Sequence, residues 1–223
     1  MLYIVATPIG NLKDITLRAL EVLRSVDLIA AEDTRHTKIL LGHYQVTKPL
    51  TSYHAYNKLS KGNYLLGLLK MGKDIALVSD SGTPGISDPG YHLIRLVREN
   101  GLSFTVIPGP CALINGLILS GLPPHKFTFE GFLSSKKGPR RKRLKLLVGQ
   151  GRTIVLYESA HRLVKLLEDI KDVLTDVPIA CIREMTKKFE EVRYGNPKEI
   201  LEHFKIHRPR GEFVVVLRPF KKG

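Results

Sequence analysis

Short apolar runs alternate with stretches of helical periodicity along the first half of the chain. The apolar runs predict buried strands at residues 2–6, 27–31, 75–78 and 104–107. Between them, apolar residues recur every three or four positions and predict helices at residues 14–25, 38–43, 58–71 and 91–99, with Asp14 as the first N-cap. Strands that alternate with helices are typical of βαβ units, so the sequence predicts a mostly parallel sheet.

The segment 121–125 marks a change in this pattern, because its two consecutive prolines do not fit inside a regular element. After it, strands are predicted at residues 127–131, 153–157, 179–183, 190–194 and 212–218, and helices at residues 139–147 and 160–174. The predicted fold class is therefore α/β, with two small α/β domains at residues 1–120 and 121–223. We expect a ligand cleft between the two domains, which is a common place for ligands.

The longest loop of the first half, residues 79–90, has an unusual composition. It contains three glycines, two prolines and two aspartates, whereas a plain connection needs only about four residues. Glycines let a ligand approach the backbone closely, and prolines limit the mobility of the loop. Since ligands bind open α/β sheets at the carboxyl ends of strands, this loop is predicted to bind one.

Positive charge is concentrated in the second half. The chain has a net charge of +14, and residues 115–223 hold 23 basic and 12 acidic residues, for a net charge of +11. No acidic residue occurs between Glu130 and Glu158, and this gap contains a basic segment that we predict to bind nucleic acid. A solvated helix face and an anionic membrane surface are the alternatives. The candidate RNA-binding residues of this segment are Lys136, Lys137, Arg140, Arg141, Lys142, Arg143 and Lys145.

Other classes of protein are disfavoured. Neither a dinucleotide-binding G-x-G-x-x-G nor a phosphate-binding Gly-Lys-Ser/Thr loop is present, and neither is a G-x-S-x-G nucleophile elbow. Cys111 and Cys181 do not form a metal-binding spacing, so we expect no metal site. No apolar run is long enough to span a membrane, and no leader is evident, so a cytoplasmic protein without a membrane partner is expected.

The remaining chemistry lies in loops rich in glycine, proline and backbone amides, at residues 7–11, 32–36, 79–90, 108–112 and 158–162. Such loops suit a ligand that has both apolar and polar parts, and S-adenosylmethionine is one. Methyl transfer from its sulfonium needs neither a protein nucleophile nor a metal, but it needs an acceptor held in line.

These loops also carry a family resemblance. The matching motifs are T-P-I-G-N-L at 7–12, A-E-D-T-R at 31–35, the whole of 79–90, P-G-P-C-A at 108–112, Y-E-S-A-H-R-L at 157–163 and R-E-M-T-K at 183–187. Together they resemble the tetrapyrrole-methylase superfamily of S-adenosylmethionine-dependent methyltransferases, and within it the branch that methylates a cytidine ribose 2′-oxygen in small-subunit ribosomal RNA. Ala160, Met185 and an end at Gly223 depart from the usual pattern, because many members have proline, leucine and a further helical segment there.

The resemblance implies a homodimer that acts on small-subunit ribosomal RNA or on the small ribosomal subunit. It also implies a methyl donor held in the interdomain cleft, although core packing would equally explain several of the apolar contact residues. The implied donor-binding residues are Ile9, Ser81, Gly82, Thr83, Ile86, Cys111, Ala112, Glu158, Met185 and Gly211.

A ribose hydroxyl must lose its proton during transfer, so a carboxylate or histidine is expected as general base. The sequence does not choose among Asp33, His36, Asp80 and Asp88, and Asx turns are an alternative role for the last two. Arg35 is the preferred contact for an acceptor phosphate, although it could pair with Asp33 instead. Base stacking by Tyr53, His54 and Tyr56 is a further hypothesis.

A tetrapyrrole or another small molecule remains the alternative acceptor, with the same fold and donor. A non-enzymatic RNA-binding module is a third hypothesis. The basic second half argues against the former, and the donor loops argue against the latter.

Overall fold

A five-stranded parallel sheet forms the centre of the first unit, Met1–Cys111. The computed structural model describes residues 1–174 and 176–219. The strands are β1 (Leu2–Val5), β2 (Leu28–Ala31), β3 (Leu50–Ser52), β4 (Ile75–Val78) and β5 (Phe104–Ile107), in the order β3-β2-β4-β1-β5. All four neighbouring pairs are parallel, as the alternation of strands and helices predicted.

Helices cover both faces of this sheet. They are α1 (Leu17–Ser25), α2 (Thr34–His43), α3 (Lys58–Lys70) and α4 (Gly90–Glu99). Apolar residues of α1 and α2 pack on one face against Val5, Ile29 and Val78. Residues of α3 and α4 pack on the other face against Ile4 and Leu77. Because both faces are covered, the three central strands β1, β2 and β4 are almost continuously apolar, as is typical of parallel sheets.

Two predicted helix starts are wrong. Asp14 does not cap α1; it ends a short 3-10 helix, Leu12–Asp14, and Thr16 caps α1 by accepting a hydrogen bond from the N–H of Ala19. Helix α2 begins at Thr34 rather than residue 38, because the Asp33 side chain caps it. The predicted polar loop 32–36 is therefore partly helical.

The second unit, Ala112–Gly223, contains a mixed sheet. Its strands are β6 (Phe127–Phe132), β7 (Thr153–Ser159), β8 (Ile179–Arg183), β9 (Glu191–Gly195) and β10 (Glu212–Leu217), in the order β6-β7-β10-β8-β9. Only β6 and β7 are parallel, and the other pairs are antiparallel. The helices are α5 (Ala112–Leu119), α6 (Lys137–Val148), α7 (Ala160–Leu174) and α8 (Pro197–Ile206).

One face of this sheet carries the core of the second unit, built with α6, α7 and α8. Helix α5 packs against β7 and β10, which is why it belongs to this unit and the division falls at residue 111/112 rather than 120/121. The prediction of an α/β class is confirmed. Among the described residues, no helix has both the length and the apolar character needed to cross a membrane.

Candidate active site

The loops after β1 and β4 are joined at the carboxyl edge of the first sheet. The Thr7 N–H donates to the Gly82 carbonyl at 2.9 Å, and the Gly82 N–H donates to the Thr7 carbonyl at 3.1 Å. Gly82 has a φ of +80°, and a Cβ there would lie 3.3 Å from Cγ2 of Ile9, so a side chain is strongly disfavoured. The start of the 79–90 loop is thereby held next to Ile9.

The loop after β5 joins the same group. Thr83 Oγ1 donates to the carbonyl of Pro110 at 3.2 Å, immediately before the half-buried Cys111 thiol. Four of the predicted donor-binding residues are therefore brought together, namely Ile9, Gly82, Thr83 and Cys111. Further along the loop, Ile86 has 44% of its surface exposed.

Strands β2 and β4 are neighbours in the sheet, and carboxylates from the residues that follow them also meet at this edge. The Asp80 N–H donates to Oε2 of Glu32 at 3.4 Å, and the Asp33 N–H donates to Oδ1 of Asp80 at 3.0 Å. Oδ2 of Asp88 is buried and has no hydrogen-bond partner among the described residues. The sequence did not point to Glu32 as a base, although Glu32 directly precedes Asp33 in the A-E-D-T-R motif at 31–35.

Burial changes the proton affinity of these groups. It raises the pKa of Glu32, and the charges of Asp88 and Asp80 add to the effect, whereas the hydrogen bond from the Asp80 N–H opposes it. Burial also raises the pKa of Asp88, against a hydrogen bond from Ser79. A raised pKa makes a carboxylate a stronger base, so Glu32 and Asp88 are better suited than an ordinary exposed carboxylate to accept a proton.

Asp33 has a different role. It caps α2 by accepting the Arg35 N–H at 2.8 Å, and its Oδ2 lies 2.6 Å from the Arg35 guanidinium. The bond to the Arg35 side chain holds the pKa of Asp33 well below its usual range. The structure therefore disfavours Asp33 as the base, because its carboxylate already accepts hydrogen bonds from Arg35. His36 is exposed in the first turn of α2, next to this pair.

Glu158 lies at the carboxyl end of β7 and is buried, with 2% of its surface exposed. Its Oε1 accepts the N–H of Ser159 at 2.9 Å and lies 3.2 Å from Nε of Arg162. Its Oε2 is buried and has no hydrogen-bond partner among the described residues. Buried carboxylate oxygens are normally satisfied, so this atom is suited to accept a hydrogen bond from a ligand.

Met185 and Gly211 lie at the same end of the second sheet as Glu158. Met185 is buried, and its two neighbours, Glu184 and Thr186, have positive φ angles of 50° and 66°. Gly211 has a φ of +81°, and a Cβ there would lie 2.3 Å from Oε1 of Glu184. The glycine is thus required by the Glu184 carboxylate, which accepts the N–H of Glu212 at 3.0 Å.

A cavity of about 190 Å³ opens beside this turn. Its lining residues are Arg183, Glu184, Phe189, Arg210 and Gly211. Phe189, one of these residues, is 63% exposed.

The basic segment differs from the prediction in its arginines. Arg140 is buried and lies 2.6 Å from Asp169, so the expectation that it contacts RNA is wrong. Its partner Asp169 lies on α7, 29 positions along the chain, so the local sequence does not reveal the pair. Arg141 and Arg143 also have carboxylate partners, Asp172 and Glu130, each at 2.6 Å.

The lysines of the segment remain free. Each is exposed, and the part of the chain that the structure describes gives none of them an ion pair; they are Lys136, Lys137, Lys142 and Lys145. An RNA-binding surface at α6 would therefore consist of lysines, whereas the arginines hold the helix in place.

Of the proposed stacking residues, Tyr53 is 1% exposed and is unavailable to a base, so that hypothesis is wrong for Tyr53. Burial raises its pKa to about 12. Tyr56, in contrast, is 99% exposed.

A family model described as Tetrapyrrole (Corrin/Porphyrin) Methylases matches residues 1–201. The chain belongs to the tetrapyrrole methylase family, as its motifs predicted.

Two proteins of similar sequence share one name. The chain is 49% identical over 223 residues to the ribosomal RNA small subunit methyltransferase I of Escherichia coli O157:H7, a match that covers 99% of this chain and 78% of that protein. It is 48% identical over 216 residues to the protein of the same name from Thermotoga maritima, covering 97% of each. Among solved structures, a diphthine synthase has a TM-score of 0.76 at 16% identity, covering 97% of this chain and 89% of that one, which shows a shared fold.

Proposed function

We propose that the protein transfers a methyl group from S-adenosylmethionine to the ribose 2′-oxygen of a cytidine in small-subunit ribosomal RNA. The observation that carries this proposal is the 49% identity, over 99% of the chain, to a protein named ribosomal RNA small subunit methyltransferase I. The basic second half supports a nucleic-acid acceptor over a tetrapyrrole or another small molecule.

The donor-binding residues proposed here fall on two sets of loops. Ile9, Gly82 and Thr83 belong to the joined loops of the first sheet, with Ser81 and Ile86 beside them. In the second unit, the free oxygen of Glu158 suits a hydroxyl or ammonium donor, and the cavity beside Gly211 suits a flat or apolar group. Cys111, Ala112 and Met185 complete the proposed set.

When bound, the donor supplies an electrophilic methyl group, so the chain itself needs no nucleophile. Its residues must hold the acceptor hydroxyl about 3–3.5 Å from that methyl group and remove the hydroxyl proton. The new carbon–oxygen bond forms as the carbon–sulfur bond breaks, and the proton passes to a carboxylate. Glu32 and Asp88 both have raised pKa values, and Glu32 is the preferred candidate because it directly follows β2 at the carboxyl edge of the sheet, where it accepts the Asp80 N–H.

Arg35 is proposed to contact an acceptor phosphate, because its side chain is 89% exposed although it is paired with Asp33. The exposed lysines of α6 are proposed to contact the RNA backbone. A homodimer and a cytoplasmic location are proposed from the family resemblance.

The test uses labelled S-adenosylmethionine and small ribosomal subunits that lack ribose methylation. Label on a single cytidine 2′-oxygen supports the proposal. Label on no RNA, from a protein that binds the donor by calorimetry, contradicts the RNA acceptor and directs attention to small molecules. Failure to bind the donor would contradict the methyltransferase proposal as a whole.

A further inference from the structure

The four residues before Gly211 form a second basic segment, His207-Arg208-Pro209-Arg210, between α8 and β10. Arg208 and Arg210 are exposed, and neither has an ion pair or hydrogen bond among the described contacts. The charge pattern of the sequence did not point to this segment, because most of the clustered positive charge lies at residues 136–145.

Two acids beside Gly211 do not neutralise these arginines. Glu184 and Glu212 both bind Lys187, at 3.0 and 2.9 Å. Most arginines of the second unit are paired in this way, including Arg140, Arg141 and Arg143. Arg208 and Arg210, to which the described residues give no counter-charge, are therefore available to an anionic partner.

The strand register places this segment at a specific edge. Glu212, at the start of β10, pairs with Ser159 at the end of β7, and Phe213 pairs with Arg183 at the end of β8. Arg208 and Arg210 thus lie at the sheet end that carries Glu158 and the Glu184–Thr186 turn. Arg210 also lines the cavity beside Gly211.

The segment that leads into α6 leaves the sheet at the same end. Strand β6 runs parallel to β7, and its last residue Phe132 pairs with Tyr157, so the chain continues towards Lys136 from this edge. Lys137 instead lines a cavity with Glu168 and Asp172 of α7. Strands β6 and β10 are both neighbours of β7, and strands lie about 4.8 Å apart, so the two basic segments leave the sheet about 10 Å from each other. One strand of polyanion can bridge that distance.

We propose that Arg208 and Arg210 bind backbone phosphates of the ribosomal RNA substrate and, with Lys136, form one phosphate-binding edge beside the donor residues of the second unit. This inference rests on the proposed function. An extended phosphodiester chain fits an edge of separate, unpaired cations, and guanidinium groups bind phosphate oxygens in two-point contacts. The edge would fix the register of the RNA without reading its sequence.

The test is the double variant Arg208→Gln/Arg210→Gln, assayed for binding to small ribosomal subunits lacking ribose methylation over a range of salt concentrations. We expect the Kd for subunits to rise about 10-fold and the slope of log K against log salt to fall by about 2, one for each lost phosphate contact. In the single variant Arg208→Gln, whose residue is not among those that line the cavity beside Gly211, the Kd for S-adenosylmethionine measured by calorimetry should not change. Arg208→Lys/Arg210→Lys should restore most of the affinity, because lysine keeps the charge.

The matched control is Lys70→Gln/Arg98→Gln, which removes two exposed positive charges at the carboxyl ends of α3 and α4. If the Arg208/Arg210 variant binds subunits like this control, the proposal is overturned while the proposed function stands. Weaker binding of S-adenosylmethionine by Arg208→Gln would also overturn it, since Arg208 would then serve the donor. If the unaltered protein binds no subunits, the result contradicts the proposed ribosomal RNA substrate, and this inference with it.

Discussion

Arg140 and Asp169 form a buried ion pair in the second unit, with a guanidinium nitrogen 2.6 Å from a carboxylate oxygen and side chains that are 5% and 2% exposed. Arg140 also donates to the carbonyl of Ser135 at 3.1 Å, so the pair fixes the start of α6 onto α7. The most basic helix of the chain is thus anchored by one of its own positive charges.

Asp169→Ala should destabilise the protein by about 3–5 kcal/mol, because it leaves the Arg140 guanidinium buried without its partner. Urea unfolding followed by circular dichroism measures the change. The control Asp172→Ala removes a 42% exposed carboxylate from the same helix and should cost about 1 kcal/mol or less. Equal effects of the two substitutions would show that the Arg140 pair is not structural.

Gly211→Ala should cost about 1–3 kcal/mol and weaken S-adenosylmethionine binding, because a Cβ at a φ of +81° would collide with the Glu184 carboxylate. Thermal unfolding and calorimetric titration measure the two effects. Gly42→Ala is the control, since nothing lies within 4 Å of its Cβ position in α2. That substitution should be neutral or stabilise the protein by up to about 1 kcal/mol. Unchanged donor binding in Gly211→Ala would remove Gly211 from the proposed site.

Glu32→Gln should lower kcat for methyl transfer by about 10²–10⁴-fold and leave the Kd for S-adenosylmethionine unchanged, as expected for loss of a general base. A base acts when deprotonated, and the pKa of Glu32 is raised above 4.5. The rate of the unaltered enzyme should therefore rise with pH through a midpoint above that value.

In Glu32→Gln this dependence should disappear. Asp33→Asn is the matched control, because asparagine caps a helix as well as aspartate does and the Asp33 carboxylate is held by Arg35. It should keep the pH dependence. If Asp33→Asn loses it and Glu32→Gln keeps it, the assignment of the base is reversed.

Asp88→Asn should raise the Tm at pH 7. Folding raises the pKa of Asp88 above 3.8, so the folded chain binds this proton more tightly than the unfolded chain does. Its contribution to stability is therefore favourable in acid and is lost as the pH rises through the ordinary and the raised pKa. The gain from asparagine should vanish below about pH 3.8.

Asp27→Asn should change the Tm in the opposite direction, because a hydrogen bond from the Asp74 N–H and another from Lys73 lower the pKa of Asp27. It should lower the Tm at pH 7 and have no effect in acid. Scanning calorimetry at several pH values distinguishes the two substitutions. A lower Tm for Asp88→Asn at pH 7 would mean that its charged form stabilises the loop.

Local sequence patterns determined most of the elements. Strand β4 and helix α7 have the predicted bounds, because apolar runs with the right period identify elements that are covered by a core. Strand β5 also has the predicted bounds, although only Ile107 of its four residues is buried. Strand β3, only three residues long, was missed, and its Leu-Thr-Ser sequence has no apolar run. Helix α8 was also missed, although Asn196, Pro197 and Glu199 form a capping box with proline at its start.

The sequence by itself determined the α/β class, the family and the loops that carry its motifs, since these depend on residues close together in the chain. Tertiary structure decided which charges are free. The carboxylates that pair with the arginines of α6 lie on β6 and α7, so Arg140 is an anchor. Arg208 and Arg210, in contrast, have no ion pair within the part of the chain that the structure describes. Tertiary structure also brought Glu32 beside Asp80, because neighbouring strands in a parallel sheet come from distant parts of the chain. Charge pairing and burial depend on distance in space, and periodicity along the chain carries no information about that distance.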